Sequence, residues 1–465
     1  MNKIDNNFEL LINRKQGQLF DVKDGELVSL SWFQRIRYAV QNSYRQAVQA
    51  RLKPLVSSLA GRITDETQVQ SLKRLPLSIF DRTALSQSFL KSMTPKLTEE
   101  QKTDNPEMNL MIRRIELAFR LGIRPQGTDE GTSGSYFLKD IRGKKLGIFK
   151  PADEEVLATH TPKLSSKIKK IFYKIFPSPT STKCMEGAGY KAEEASSRIS
   201  EYLGLYTVPL TRITRLSHPD FYYLPAVRDK GTLPLKEGSL QTFVQNSETA
   251  EVALGISDLS RYASRFYQWL LSSPERKGKL YERICDEEFQ RFAIIDFLVG
   301  NLDRHLANWM LPKDSTAETT EISAIDNGYA MPHKHPEKKR TNQYLWRILP
   351  HAQVNFGADA REIAADLNEQ QIIDILMNTD KNPNKQCLIN EGQRDCLRDR
   401  IRILKHFVAS GKTPFELAQV KRQTAVAKVL EDLADSAAYA VPAGALAAPV
   451  HKKKYSRACL RLALR

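Results

Sequence analysis

Phe289 to Val299 is strongly apolar, interrupted only by Gln290, Arg291 and Asp296, and predicts a buried helix beneath the polar segment Asn301 to Asn308. Upstream, Ser135 to Lys139 and Lys145 to Lys150 carry apolar residues suited to two strands, with Asp140 to Lys144 as their turn. The Ala-rich stretch Glu186 to Leu203 reads as a helix, and Val208 to Leu216 and Asp220 to Val227 complete a small sheet. Ile322 to Ile325 is a short strand leading into Asp326. Ile112 to Leu121, Ala360 to Met377 and Glu391 to Ser410 read as further helices, the last two separated by a polar turn around Asp380 to Asn384. Near the N-terminus, Trp32 to Leu52 has apolar residues at near-helical intervals with Arg and Lys between them, as in a helical accessory or targeting region. Pro95 to Pro106, rich in Lys, Thr, Glu, Asp and Asn, reads as a linker. No internal repeat implies a solenoid.

With 465 residues the chain is long enough for two or three domains and a large core. Its five cysteines are odd in number and lack paired CxxC spacing, which argues against a structural zinc site or a disulfide framework. The first twenty residues contain no uninterrupted apolar run, so a standard secretory signal is not expected. Ala437 to Val450 is apolar but short, and Pro442, Gly444 and Pro449 break it, so any membrane contact should be peripheral. The formal charge of +16 favours anionic partners. Neither zinc-finger spacing nor an RNP-like strand supports nucleic acid.

The chemistry lies in Asp303, Arg304, His305 and Asn308, followed by Asp326-Asn327-Gly328. This order supplies a carboxylate to orient an acceptor hydroxyl, a neutral oxygen ligand and an anionic ligand for a hard cation such as Mg2+. Asp303 is the expected catalytic carboxylate, and Arg304 and His305 either organise the loop or stabilise phosphate charge. Gly131-Thr-Ser-Gly-Ser-Tyr-Phe offers tight turns at Gly131 and Gly134 with hydroxyls at Ser133 and Ser135, although such a stretch is also an ordinary turn. It is not a Walker A sequence. Lys150 ends the second strand, where its ammonium would face ATP phosphates, and Glu193 on the following helix is the preferred ion-pair partner, with Glu194 as the alternative.

These residues resemble the type II phosphatidylinositol 4-kinase family, within the wider phosphoinositide 3/4-kinase superfamily. The resemblance runs through Gly131 to Phe137, Ile148-Phe149-Lys150-Pro151, Gln241 to Val244, Asn301 to Trp309 and Ala324 to Gly328, and extends in patches from roughly Gly122 to Val420. It implies an α+β, bilobal protein-kinase-like phosphoinositide kinase fold with helical flanks. The expected division is 1–105 as accessory region, 106–240 as N-lobe, 241–420 as hinge and C-lobe, and 421–465 as helix and basic tail. It also implies ATP and Mg2+ as cofactors, Lys150 on the phosphates, Phe243-Val244 as the hinge at the adenine, and Asn308 and Asp326 at the metal. The implied reaction phosphorylates phosphatidylinositol at the 4-hydroxyl. Ala307 stands where the family usually has Asp, and His305 follows Asp-Arg as in the broader superfamily, where type II members have glycine.

A lipid kinase must reach an embedded substrate, and Lys163 to Phe176 interleaves lysines with Ile, Phe and Tyr in a manner suited to an anionic interface. The alternative is that those apolar residues fill the core. Pro177-Ser178-Pro179 stands where the family often carries a palmitoylated cysteine-rich insert. Tyr344-Leu345-Trp346 reads as a second contact surface, His333 and His335 as headgroup or structural groups, and the basic C-terminal tail as a further anionic contact. The expected partners are phosphatidylinositol, an anionic membrane surface and a protein bound by the N-terminal region. The expected location is the cytosolic face of membranes, those of a host cell if the chain is a secreted bacterial effector. A protein serine/threonine kinase and a catalytically weak membrane scaffold are the competing functions.

Overall fold

The computed structural model describes residues 20–24, 26–31, 34, 46–48, 50–52, 95–128, 134–155, 188–228, 232–255, 282–314, 316, 318, 320–336, 343–378, 386–420 and 423–439. Within them the architecture is α+β. At the start, β1 (Phe20–Lys23) and β2 (Glu26–Ser29) form an antiparallel hairpin. Arg51 clasps Asp21 there with two bonds of 2.8 Å. Most of the Trp32 to Leu52 stretch, the Lys163 to Phe176 segment, Pro177-Ser178-Pro179 and the basic C-terminal tail lie outside the described residues.

A five-stranded antiparallel sheet carries the first half of the fold. Its members are β3 (Gln126–Gly127), β4 (Tyr136–Lys139), β5 (Lys145–Pro151), β6 (Thr211–Leu216) and β7 (Lys236–Thr242), in the order β3-β4-β5-β7-β6. The two strands expected around the Asp140 to Lys144 turn are present. Helix α1 (Pro106–Arg120) starts well before Ile112, because the Asn105 side chain accepts the Glu107 and Met108 amides at 3.0 Å and Pro106 suits the first turn. Its apolar face, Met108, Met111, Ile112, Ile115 and Phe119, forms one core with Leu138, Phe149, Phe221 and Leu240.

Two expectations change here. Asp220 to Val227 is not a strand: it runs into a helical turn, α3 (Pro225–Arg228), and Pro225 has no amide to give a ladder. Its place is taken by β7, whose sequence Lys-Glu-Gly-Ser-Leu-Gln-Thr lacks apolar alternation yet lies between β5 and β6. Gly238 is required at that crossing, since a Cβ there would come within 2.4 Å of the Lys150 carbonyl oxygen. Second, Pro95 to Pro106 is packed rather than free. Leu97 enters the core, Thr214 donates to the Gln101 carbonyl at 2.8 Å, and Asp104 bridges Arg198 and Arg212 at 2.8 Å each.

Helix α2 (Gly189–Tyr202) leans on β6 and β7. The chain leaves the sheet at Thr242 and passes through Phe243 to Asn246 into a second, three-stranded sheet: β8 (Ser247–Thr249), β9 (Trp309–Pro312) and β10 (Ser323–Ala324), with β9 in the middle. After the short α4 (Ala250–Ala253), α5 (Asp286–Val299) forms the centre of this half. Phe289, Phe292 and Phe297 on it are at most 1% exposed, each contributing roughly 2–3 kcal/mol by burial. Gly300 ends α5 with φ of 63°, the left-handed turn that suits glycine at a helix C-terminus. The single helix expected over Ala360 to Met377 is two, α6 (Ala358–Asp366) and α7 (Glu369–Met377), because Asn368 caps the second by accepting the Gln371 amide at 3.0 Å. Helix α8 (Glu391–Ala409), opened by an Asn390/Gln393 capping box, packs on α5, and α9 (Pro414–Gln419) and α10 (Gln423–Tyr439) follow.

Candidate active site

Three segments distant in sequence converge between the sheet and α5. Lys150, near the end of β5, places Nζ 2.5 Å from Glu193 Oε1 on α2 and 3.0 Å from Asp326 Oδ1 on the loop after β10. Of the two carboxylates left open on α2, Glu194 is committed elsewhere: it accepts Arg198 Nε at 2.7 Å and the Ile213 amide at 2.6 Å. Glu193 is therefore the one that meets the lysine, and its Oε2 is buried without a hydrogen-bond partner. Burial works against the Lys150 ammonium, but the Asp326 and Glu193 carboxylates outweigh it and hold its pKa above the ordinary lysine value. The same ammonium holds Asp326 below the usual carboxylate range against desolvation, with Arg304 and His305 adding to the effect. Asp326 also has φ of 53°, a left-handed conformation that aspartate tolerates better than most residues.

The loop after α5 is built around Arg304, whose side chain is fully buried. Its Nε donates to Asp296 Oδ1 at 2.8 Å, one terminal nitrogen to the Asn308 and Ile325 carbonyls, and the other to Asn327 Oδ1 at 2.5 Å. Of the two roles open to Arg304, the geometry supports loop organisation, because no part of the guanidinium reaches the surface. Asp296 also accepts the Trp346 indole N–H at 2.8 Å. Asn301 joins the two polar loops: its Oδ1 takes the Asp303 amide at 2.9 Å and its Nδ2 reaches the Asp326 carbonyl at 3.1 Å. His305 opens a 3-10 turn, Leu306–Asn308, by accepting the Ala307 amide at 3.2 Å, and its Nε2 lies 3.9 Å from Asp303 Oδ2.

Asn308 donates Nδ2 to the Asp303 carbonyl at 2.8 Å, which leaves its Oδ1 as the atom a cation could use. The Asp326 side chain is 54% exposed and anionic. Two such oxygens suit magnesium, which binds through one or two protein groups while keeping water and phosphate oxygens around it. Among the described residues no group of three or more His, Cys, Asp or Glu forms an all-protein cage.

Gly134 enters β4 with its amide on the Glu154 carbonyl at 3.0 Å, and Ser135 accepts the Thr128 amide at 2.9 Å. Ser133 lies outside the described residues. Phe243 follows β7, its amide on the Leu146 carbonyl at 2.9 Å and its ring edge-on to Phe137, and Val244 stands beside it on the segment joining the two sheets. A cavity of about 300 Å³ opens at the opposite end of β7, between Asp153, Tyr222, Tyr223, Val227, Pro234 and Lys236, and none of the expected site residues lines it.

The second membrane-contact surface is a correction. Tyr344, Leu345 and Trp346 are at most 2% exposed, packed with Phe289, Phe292 and Phe297. His335 faces Asp399 at 3.0 Å, a structural contact. Sequence reasoning assigned no role to Asp296, Asn301 or Asn327. An acid inside an otherwise apolar run was the available signal for Asp296, since a buried carboxylate requires a partner.

A family model described as "Phosphatidylinositol 3- and 4-kinase" matches residues 131–416, and the chain belongs to that family. Phosphatidylinositol 4-kinase type 2-beta of Danio rerio is 30% identical to it over 368 residues, 69% of this chain and 69% of the relative. The type 2-beta protein of Gallus gallus is 31% identical over 366 residues, covering 69% and 72%. The solved golgi casein kinase aligns with a TM-score of 0.41 and 14% identity over 78% of this chain and 90% of that one. The chain is thus related to type II phosphatidylinositol 4-kinases at moderate identity over most of its length, which supports a phosphoinositide-kinase-like catalytic function.

Proposed function

We propose that the chain transfers the γ-phosphoryl group of ATP to the 4-hydroxyl of phosphatidylinositol at a membrane surface. The observation that carries this reading is the convergence of Lys150, Glu193 and Asp326 from three separate segments. The sheet half and the helical half act as the two lobes of a kinase, with Phe243-Val244 as the hinge at the adenine. Lys150 holds phosphate oxygens, and Glu193 fixes the lysine's direction. Asn308 and Asp326 are the ligands for magnesium, which when bound supplies positive charge to the phosphates. Asp303 orients the acceptor hydroxyl and takes its proton as the new O–P bond forms and the bond from the γ-phosphorus to the bridging oxygen breaks, releasing ADP. Arg304 keeps that loop in place from beneath.

Membrane access is peripheral in this reading. Among the described residues no helix is long and apolar enough to cross a membrane, and the +16 charge draws the chain to an anionic cytosolic leaflet. The similarity to the type 2-beta relatives supports the 4-position and the lipid.

The test incubates purified protein with magnesium, labelled ATP and vesicles containing individual inositol lipids, and maps the product phosphate. Phosphatidylinositol 4-phosphate that disappears in Asp303→Ala is the expected result. A folded, ATP-binding protein that labels no lipid, or labels a polypeptide acceptor instead, would overturn the assignment.

A further inference from the structure

Helix α2 carries Glu193 but begins without a local cap: Ala188 stands at its N-cap position and offers no side-chain acceptor. The missing acceptor is supplied from outside the helix. Glu155 Oε1 takes the Tyr190 amide at 2.6 Å and Oε2 takes the Gly189 amide at 3.1 Å. Glu155 follows directly on the 3-10 turn Ala152–Glu154, itself continuous with β5, the strand that presents Lys150. Its fit at the helix start is close, since a Cβ added to Gly189 would come within 3.0 Å of Glu155 Oε1.

The residue before it anchors the other side of this turn. Glu154 is fully buried, accepting Lys236 Nζ at 2.6 Å and the Tyr136 hydroxyl at 2.7 Å. Beyond the helix start lies the metal-side loop: a Cβ on Gly328 would sit 3.9 Å from the Gly189 Cα and 3.9 Å from Glu193 Oε1. Glu155, Gly189 and Gly328 therefore form a continuous path from the end of β5, over the first turn of α2, to the Asp326 loop.

We propose that Glu155 is a positioning residue for phosphoryl transfer, its carboxylate holding the first turn of the Glu193 helix so that Glu193 and the Asp326 loop keep their places around Lys150. The inference rests on the phosphotransfer reading above. A two-pronged carboxylate satisfies two of the amides that a helix leaves open at its start, and negative charge there is favoured by the helix dipole. Burial, opposed by the two amides and reinforced by the nearby Glu193 carboxylate, lifts the Glu155 pKa to about 7. That value marks a group held out of water rather than a solvated surface acid.

The full chain is tested as wild type, Glu155→Gln and Glu155→Ala, using amide hydrogen exchange, ATP affinity and steady-state transfer to inositol-lipid vesicles. In Glu155→Ala, exchange at Gly189 and Tyr190 should rise about five-fold, as for a lost helix cap. The expected kinetic result is a fall in kcat of about ten-fold with the lipid KM unchanged, the pattern for a group acting on the transition state rather than on lipid binding. Glu155→Gln, which keeps one acceptor oxygen, should fall between the two. Unchanged exchange at these amides would overturn the cap, and faster exchange with unaltered ATP affinity and kcat would overturn the positioning role. Absence of lipid phosphorylation by wild type would sink the proposed activity alone, because exchange and ATP affinity read the Glu155 contact without it.

Discussion

Asp296 and Arg304 form an ion pair in which both side chains are 0% exposed, and its removal is the sharpest test of how the Asn301 to Asn308 loop is held. Asp296→Ala leaves the guanidinium buried with its carbonyl and Asn327 partners but without a paired carboxylate, and it strips the Trp346 indole of its acceptor. Breaking a buried pair from one side costs about 3–5 kcal/mol, and an unsatisfied indole N–H adds roughly 1 kcal/mol or more. Against a typical stability of about 5–15 kcal/mol, the variant should lose about a quarter or more of its margin. Urea unfolding followed by tryptophan fluorescence reads this directly, because Trp309 and Trp346 are both in the affected core. The double variant Asp296→Ala/Arg304→Met supplies the internal control. Replacing both charges with apolar groups removes the uncompensated cation, so it should recover much of the lost stability without recovering phosphotransfer. A loss below about 1 kcal/mol in Asp296→Ala, or a double variant that is additively worse, would refute the account of Arg304 as a buried clamp.

Gly134→Ala should lower the thermal midpoint and weaken ATP binding, since its Cβ would lie 2.1 Å from Glu154 Oε2 and that carboxylate is locked by Lys236 and Tyr136. Overpacking of this kind costs about 1–3 kcal/mol, and a midpoint identical to wild type would show that the strand entrance yields freely. His351 should make the fold sensitive to acid. Burial, only partly opposed by its bond to the Ile284 carbonyl at 2.9 Å, lowers its pKa from 6.5 to about 4. The unfolded chain then binds the extra proton first, so this contribution is present above pH 6.5 and is lost as pH falls toward 4, by up to about 3 kcal/mol. His351→Gln should show a flatter urea midpoint over that range than wild type, and parallel profiles would count against the assignment. Burial raises Glu116 and Glu155 to about 7, which acts in the opposite direction, so the comparison between the two proteins isolates the histidine.

The residues expected to meet were readable where chemistry and local pattern agreed. Lys150 ends a strand with apolar alternation, and Asp326 follows another, so both could be placed before their contact was known. Glu193 is the expected partner of Lys150 ahead of its neighbour Glu194, and it is the one that makes the contact, although helical pattern alone does not separate the two. Adjacent positions on a helix diverge by about 100°, and only the packing of α2 on β6 determines which one faces the lysine. Strand β7 was hidden for a different reason: its polar side chains are satisfied by long-range partners, such as Lys236 with Asp153 and Glu154, that no short window contains. Trp346 was misplaced on the surface because its burial depends on Asp296, an acid whose own partners, Arg304 and the indole, come from two later segments.

The packed segment ahead of α1 bears on how the chain can be shortened. The family match opens at residue 131, yet Asp104 neutralises Arg198 and Arg212, which are 9% and 6% exposed. A truncation made at the match boundary would strip two nearly buried arginines of a shared counter-ion and remove the whole of α1 from the sheet. A fragment that keeps the sheet core intact should therefore begin ahead of Leu97, more than thirty residues upstream of the start of the family match.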